Sequence, residues 1–263
     1  MAITAKDVQA LRRSTGVGMM DAKKALEEND GDMQAATQWL RVHGLASAAK
    51  RADREAGEGA VAVVRDAKVA AIVEMRCETD FVAKSEDFVS LVDEMAARVA
   101  AEGEGATEQF KDRIETLLTT LKENISLGRV CRLEAGDDEV VETYIHQQSG
   151  RGVNAVAVVV KGGSEELAHE VAVHIAFARP AYLKRSDVPT DEVDAERKTV
   201  EEISRNEGKP EAALPKIIEG RLNGWFKERV LLEQPYVKDE KQSVEQFLGG
   251  AVITAFAQVV IGS

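Results

Sequence analysis

Three residues in the second half of the chain, His169, Glu170 and His174, are of types that bind zinc. A zinc site on one helix needs two histidines four residues apart, because that spacing puts both rings on the same face. Here the histidines are five positions apart, which turns the second ring away by roughly 140° at about 100° per residue. The pattern favours an ordinary amphipathic helix, and we expect no bound metal.

Patterns typical of nucleophilic catalysis or phosphate binding are also missing from the sequence. No serine lies in a Gly-x-Ser-x-Gly setting, and there is no Gly-x-x-x-x-Gly-Lys-Ser/Thr loop. Gly16 and Gly18 approach a dinucleotide-binding pattern, but their surroundings are helical in character, which favours a simple turn. Two cysteines, Cys77 and Cys131, are too few for a disulfide framework. We therefore expect a protein without cofactor or enzymatic activity, whose partner performs the chemistry.

The charge balance restricts the possible partners. The chain has 263 residues, with 34 basic and 46 acidic side chains and a net charge of −12. Such a surface disfavours direct nucleic-acid binding unless basic residues are segregated. Residues 1–7 are too polar for a secretory signal, and no apolar run reaches the roughly 18–20 residues of a membrane span. We expect a cytoplasmic protein without a membrane partner.

Residues 1–45 have the pattern of three short helices. Thr4 and Asp7 have the spacing of a capping box for the first helix, and Asp32 can cap the third, which is predicted to stop at Gly44. A module this small has too few apolar residues to be very stable alone. It is more typical of a docking element than of a catalytic domain.

The rest of the chain predicts an α+β core. Residues 46–58 are polar and rich in alanine, which indicates a helical tail and a linker. A strand–strand–helix order occurs in residues 59–139 and again in residues 140–263, so we predict two similar α+β subdomains side by side. Two amphipathic helices at residues 187–232 predict a helical hairpin that projects from the second subdomain.

One loop of the first subdomain contains apolar residues where water-facing residues are usual. This segment, Thr79–Lys84, joins a strand that ends near Cys77 to a helix that begins near Ser85. Spacing alone favours the interpretation that Phe81 folds back into the local core. The alternative is an apolar wedge beside an acid, displayed for insertion into a partner.

The Thr79-Asp80-Phe81-Val82-Ala83-Lys84 segment resembles a signature of the elongation factor Ts family. The sequence from Thr15 to Leu26 resembles the other signature of that family. Further matches follow in order along the chain, at residues Glu123–Ile125, Gly208–Pro210, Glu219–Arg221 and Gln234–Val237. The resemblance covers essentially the whole chain, and two long signatures together are highly specific.

The resemblance implies a function. In the family, the N-terminal module is similar to a ubiquitin-associated three-helix fold and contacts the GTPase elongation factor Tu. The chain would be a guanine-nucleotide exchange factor that promotes GDP release by disturbing the Mg²⁺ and phosphate site. Asp80 and Phe81 would press beside the nucleotide, with Thr79, Val82 and Ala83 shaping the loop.

The resemblance also implies partner contacts outside this loop. Lys23 would be the contact of the N-terminal module and His146 that of the second subdomain, with Leu121 and Val237 as minor contacts. Family members often carry glycine after the position of Leu121, where this chain has Lys122. An apolar residue is common in the family after the position of Val237, where this chain has Lys238. A homodimer, or a dimer of heterodimers formed through the helical hairpin, is an open alternative.

Two rival hypotheses belong to other functional classes. The first is an adaptor or ribosome-bound chaperone that uses residues 1–45 to bind peptides, and it would have no need of the Thr79–Lys84 segment. The second is a metal-dependent hydrolase built on the two α+β halves, which metal analysis of the purified chain would test.

Overall fold

The computed structural model of the protein describes residues 3–262. Met1, Ala2 and Ser263, which end the first and last predicted ranges, lie outside the described residues. Helices alternate with small antiparallel sheets along the described chain, and the predicted α+β class is confirmed. Within residues 3–262, no helix has both the length and the apolar character needed to cross a membrane.

Three helices form the N-terminal module: α1 (Ala5–Thr15), α2 (Met19–Glu28) and α3 (Met33–Ala49). The predicted capping box is present at the start of α1. Thr4 Oγ1 accepts a hydrogen bond from Asp7 N at 3.3 Å, and Asp7 Oδ2 accepts one from Thr4 N at 2.9 Å. Asp32 Oδ1 caps α3 by accepting from the next backbone N–H groups, at 2.8 and 2.9 Å. These caps satisfy donors that would otherwise be unpaired at the helix ends.

The first α+β unit contains a three-stranded antiparallel sheet with β2 in the centre. Its elements in chain order are β1 (Glu58–Asp66), β2 (Val69–Cys77), α4 (Asp80–Ala83), α5 (Glu86–Glu102), α6 (Lys111–Leu121) and β3 (Ser126–Glu134). Between α5 and α6 lies a 3-10 helix, Glu104–Phe110. The long helix α5 lies on one face of the sheet, and its buried side chains, including Phe88, Leu91 and Met95, form the core of this unit.

The helix α3 continues past its predicted end at Gly44 and runs to Ala49, so that prediction was wrong. Gly44 faces α6, and a Cβ atom there would lie 2.4 Å from Thr119 Cγ2. The glycine therefore permits two helices to approach closely and does not end the helix. Beside this contact, Arg41 forms ion pairs with Asp112 at 2.8 Å and Glu115 at 3.0 Å. The N-terminal module is thus attached to the core through α6.

The second α+β unit contains a three-stranded antiparallel sheet with β5 in the centre, between β4 and β8. Its elements are β4 (Glu139–Gln148), β5 (Arg151–Lys161), α7 (Glu165–Ala178), α8 (Thr190–Asn206), α9 (Leu214–Arg229), β6 (Pro235–Tyr236), β7 (Asp239–Ser243), α10 (Val244–Leu248) and β8 (Val252–Val260). The helices α8 and α9 have a small apolar core of their own, which includes Val200, Leu222 and Phe226. The pattern predicted no element for residues 235–248, where β6, β7 and α10 form.

The two sheets pack face to face, with α5 and α7 on the outer faces. Alternate residues of the two central strands form the shared core: Ala70 and Ile72 from β2, and Ala155, Ala157 and Val159 from β5. The intervening residues of β5 pack against α7. Both faces of β5 are therefore buried, which explains why its sequence is almost continuously apolar.

Candidate partner-binding site

Phe81 lies on a short helical turn, α4, between the central strand of the first sheet and α5. Its side chain is 83% exposed, so the expectation from spacing that the ring folds into the core was wrong. The next two residues, Val82 and Ala83, are buried in the core of the first unit. In a helical turn, successive side chains differ in direction by about 100°, so the turn that buries this pair directs Phe81 outward.

The same turn presents an acid beside the ring. Asp80 forms an ion pair with Lys84, one turn later, and its side chain is 43% exposed. The hydrogen bond from Lys84 is the main cause that lowers the pKa of Asp80 below its ordinary value. The carboxylate is therefore ionised at neutral pH. The surface around Phe81 combines an exposed aromatic ring with a fixed negative charge.

A second loop holds the start of this turn. The Glu123 carboxylate accepts hydrogen bonds from the backbone N–H groups of Glu78 and Thr79, both at 3.0 Å, and from the Thr79 hydroxyl. In return, Glu78 Oε1 accepts from Asn124 N at 2.6 Å. In the sequence, Glu123–Ile125 is only a segment that matches the elongation factor Ts family, and its spacing predicts no role for it. The pairing could not be predicted from spacing, because Thr79 and Glu123 lie 44 positions apart in the sequence.

The other predicted contact residues lie on separate elements. Lys23 is exposed on α2, with its Nζ 3.6 Å from Glu27 Oε1. His146 is exposed near the end of β4. Leu121 is half-buried at the end of α6 and packs against the core that contains Val82. The structure thus brings Leu121 to the unit that carries Phe81, whereas Lys23 belongs to the N-terminal module and His146 to the second unit.

Val237 is half-buried, and its neighbourhood is organised by His174. The backbone N–H of Val237 donates to His174 Nδ1 at 3.2 Å, and His174 Nε2 lies 3.0 Å from Gln234 Oε1. Because Nδ1 accepts, the ring is neutral with its proton on Nε2. Burial lowers the pKa of His174, which is consistent with the neutral form.

The residues that could suggest catalysis are not assembled into a reactive site. His174 is buried on α7 whereas His169 is exposed, so the two histidines lie on different faces, as their spacing predicts. Burial raises the pKa of the Cys77 thiol to about 12, which keeps this cysteine protonated and unreactive. In residues 3–262, no group of three or more His, Cys, Asp or Glu side chains could hold a metal ion.

Comparison with known proteins identifies the family. The family model described as Elongation factor TS matches residues 78–263. Elongation factor Ts of Clavibacter michiganensis subsp. michiganensis is 47% identical over 274 residues, which cover 99% of this chain and 98% of that protein. The corresponding proteins of Leifsonia xyli subsp. xyli and Mycobacterium ulcerans are 45% and 42% identical, over 99% and 98% of this chain and equal shares of their own.

The chain belongs to the elongation factor Ts family. The resemblance on which the sequence prediction depended is therefore confirmed, and the protein is a translation elongation factor by family. The region matched by the elongation factor Ts model begins at Glu78 and so includes the whole Thr79–Lys84 segment.

This chain has lysine at two positions where members of the elongation factor Ts family often have another residue. Lys122 has a left-handed backbone with φ of +59°, a conformation that glycine adopts without strain. Its side chain reaches the N-terminal module, where Nζ lies 2.6 Å from Asp21 Oδ2. Lys238, after Val237, forms an ion pair with Glu170 at 2.6 Å. Each of the two lysines forms an ion pair with an acid on another element, Asp21 on α2 and Glu170 on α7.

Proposed function

We propose that this chain is a guanine-nucleotide exchange factor that binds elongation factor Tu in its GDP form and promotes release of GDP during translation elongation. Family membership supports the partner and the process. The single observation that carries the mechanism is the exposed Phe81 ring on a turn whose neighbours, Val82 and Ala83, are anchored in the core. An aromatic side chain in this situation is typical of an interface anchor.

The proposed mechanism is mechanical and not chemical. Phe81 enters the GTPase beside the nucleotide and Asp80 accompanies it as a fixed negative charge. Their insertion disturbs the Mg²⁺ site and the phosphate-binding loop of elongation factor Tu. Since Mg²⁺ neutralises the nucleotide phosphates, its displacement weakens the strongest contacts that hold GDP. Thr79, Val82 and Ala83 shape the turn, and no cofactor of the factor itself takes part.

The energy of exchange has to come from several contacts. If the factor weakens GDP binding by some ratio, GDP weakens binding of the factor by the same ratio. A ratio of about 10⁴ needs about 5.5 kcal/mol of differential binding energy, whereas burial of one aromatic side chain contributes about 1.5–3 kcal/mol. We therefore propose that Lys23 on the N-terminal module and His146 on the second unit share the task, with Leu121 and Val237 as minor contacts.

The test is the rate of GDP release from elongation factor Tu. The purified GTPase is loaded with fluorescent GDP and mixed in a stopped-flow instrument with excess unlabelled GDP, with or without the chain. We expect the chain to accelerate release at least about 100-fold. Unchanged release in its presence would contradict the proposed function.

The role of Mg²⁺ has its own control in the same experiment. When EDTA removes Mg²⁺ beforehand, we expect spontaneous GDP release to become faster, and the chain no longer has a Mg²⁺ ion to displace. We expect the acceleration by the chain to fall at least about tenfold in EDTA. An equal acceleration with and without Mg²⁺ would refute the Mg²⁺ part of the mechanism while leaving exchange itself in place.

A further inference from the structure

We propose that Glu123 is a positioning residue, whose carboxylate holds the Thr79–Lys84 segment so that Phe81 faces the partner. This inference rests on the proposed function and adds a residue that need not touch elongation factor Tu. It is drawn from the contacts between two loops that are 44 residues apart in sequence.

The Glu123 carboxylate matches the donors that Glu78 and Thr79 offer at the start of the segment. Oε2 accepts from Glu78 N and Thr79 N, each at 3.0 Å, and Oε1 accepts from the Thr79 hydroxyl. An ionised carboxylate only accepts hydrogen bonds, so all three donors are satisfied by one side chain. We call these three hydrogen bonds the carboxylate clamp.

The clamp also determines how the turn begins. A hydroxyl has one hydrogen, and that of Thr79 is donated to Glu123. The lone pairs of Thr79 Oγ1 are therefore free to accept from Val82 N, at 3.4 Å, which caps α4. Loss of the carboxylate would free the hydroxyl to rotate and leave two backbone donors without their acceptor. Both effects act on the turn that carries Phe81.

The loop that carries Glu123 is itself fixed on several sides. Asn124 N donates to Glu78 Oε1 at 2.6 Å, and Asn124 Nδ2 donates to the carbonyl oxygens of Ala52 and Arg54 at 3.1 and 2.7 Å. Ile125 is buried in the core of the first unit. The clamp therefore connects the Phe81 turn to both the core and the segment that follows the N-terminal module. A rigid support lowers the entropy lost when an exposed side chain binds.

The experiment is a double-mutant cycle on GDP release. In Glu123→Gln, the shape is kept but an amide N–H group faces one of the donors of the segment. At saturating concentration of the chain, we expect the acceleration of GDP release to fall about tenfold. In the Phe81→Ala background, the same substitution should change release less than about twofold, because the positioned ring is already absent.

Two further variants make the cycle specific. Glu123→Asp keeps a carboxylate that only accepts, and we expect it to retain more of the acceleration than the glutamine variant. Glu139→Gln is the matched control. Glu139 also accepts a backbone N–H, from Gly136 at 2.7 Å, but it begins β4 of the second sheet. Its carbonyl oxygen accepts from Lys68 Nζ at 2.6 Å, at the end of β2 that is opposite to the Phe81 turn. This variant should accelerate GDP release from elongation factor Tu as much as the unmodified chain does.

Hydrogen exchange distinguishes positioning from general loosening. The amide of Val82 should exchange about tenfold faster in Glu123→Gln, whereas amides in the middle of α5 should not change. The inference is overturned if Glu123→Gln leaves GDP release unchanged, or lowers it by the same factor with and without Phe81. If Phe81→Ala slows release but Glu123→Gln does not, this inference alone fails. If the unmodified chain does not accelerate release, the proposed function fails.

Discussion

The two sheets of the core make the same turn from a central strand to a helix by different means. In the second unit, three residues (162–164) join β5 to α7, whereas in the first unit eight residues (78–85) join β2 to α5. Because both helices lie on the outer face of their sheet, three residues suffice for this connection. The five additional residues of the first unit are not needed to close the fold, and they include the exposed Phe81.

The short connection is adapted to tight packing. Gly162 has a φ of +70°, and a Cβ atom at Gly163 would lie 2.9 Å from side-chain atoms of both Val160 and Leu167. Ser164 Oγ then caps α7 by accepting from Leu167 N at 3.2 Å. The long connection is held instead by the carboxylate of Glu123, from another loop. The first connection therefore exposes an apolar side chain on the surface, whereas the second packs its strand tightly against its helix.

The largest expected effect on stability is the difference between two alanine substitutions, one at Phe81 in the first connection and one at Phe88 in the helix that follows it. Phe88 of α5 is fully buried, and we expect Phe88→Ala to lower the free energy of unfolding by about 3–5 kcal/mol. Phe81→Ala should change it by no more than about 0.5 kcal/mol, because the ring is already in water. Urea denaturation followed by circular dichroism measures both. Equal losses in the two variants would mean that Phe81 supports the fold, contrary to the comparison.

A smaller effect is expected in the short connection. Gly163→Val should destabilise the protein by about 1–3 kcal/mol, because the new side chain overlaps Val160 and Leu167. Gly105→Val is the control, since a Cβ atom at Gly105 would meet nothing within 4 Å. The measurement is again urea denaturation. If both glycines tolerate valine equally, the second connection is not limited by packing.

The smallest effect is a pH dependence that belongs to the second unit. Burial lowers the pKa of His174, so below pH about 6.5 the unfolded chain takes up a proton that the folded chain excludes. This contribution to stability is complete above that pH. It is lost as the pH falls from there towards the lowered pKa, by at most about 1.4 kcal/mol per pH unit.

Denaturation at pH 7.5 and 5.5 tests this dependence. His174→Gln should reduce the loss of stability between the two pH values, whereas His169→Gln, which changes an exposed residue of the same helix, should leave it unaltered. If the His174→Gln variant loses as much stability between pH 7.5 and 5.5 as the unmodified chain, the pH dependence does not arise from His174. The second unit then has no pH dependence of its own from this residue.

Local patterns predicted most of the secondary structure in this protein. The capping box at Thr4 and the strand–strand–helix order of the first unit were predicted correctly, because their signals are confined to neighbouring residues. Gly44 was wrongly predicted to end a helix. A glycine is needed there because the backbone packs closely against Thr119, a contact that only the tertiary structure creates. The short elements of residues 235–248 have too few residues for a periodic signal.

The candidate site was predicted less completely than the fold. The resemblance to the elongation factor Ts family predicted that the Thr79–Lys84 segment contacts a partner, whereas spacing alone placed Phe81 in the core. Three adjacent apolar residues all look alike in a sequence, and only the direction of the helical turn separates Phe81 from Val82 and Ala83. The contribution of Glu123 could not be predicted, because its acceptor geometry depends on where two distant loops meet.

In the proposed mechanism, the exposed ring of Phe81 drives release of GDP from elongation factor Tu. The most direct test is the rate of fluorescent GDP release from elongation factor Tu with Phe81→Ala, compared with Phe177→Ala. Phe177 is a matched control, because it is 75% exposed on α7 and is not one of the residues proposed to contact elongation factor Tu. We expect Phe81→Ala to slow release about 30-fold, equivalent to about 2 kcal/mol of lost interface energy, and Phe177→Ala to leave it unchanged. Full acceleration by the Phe81→Ala variant would contradict the account.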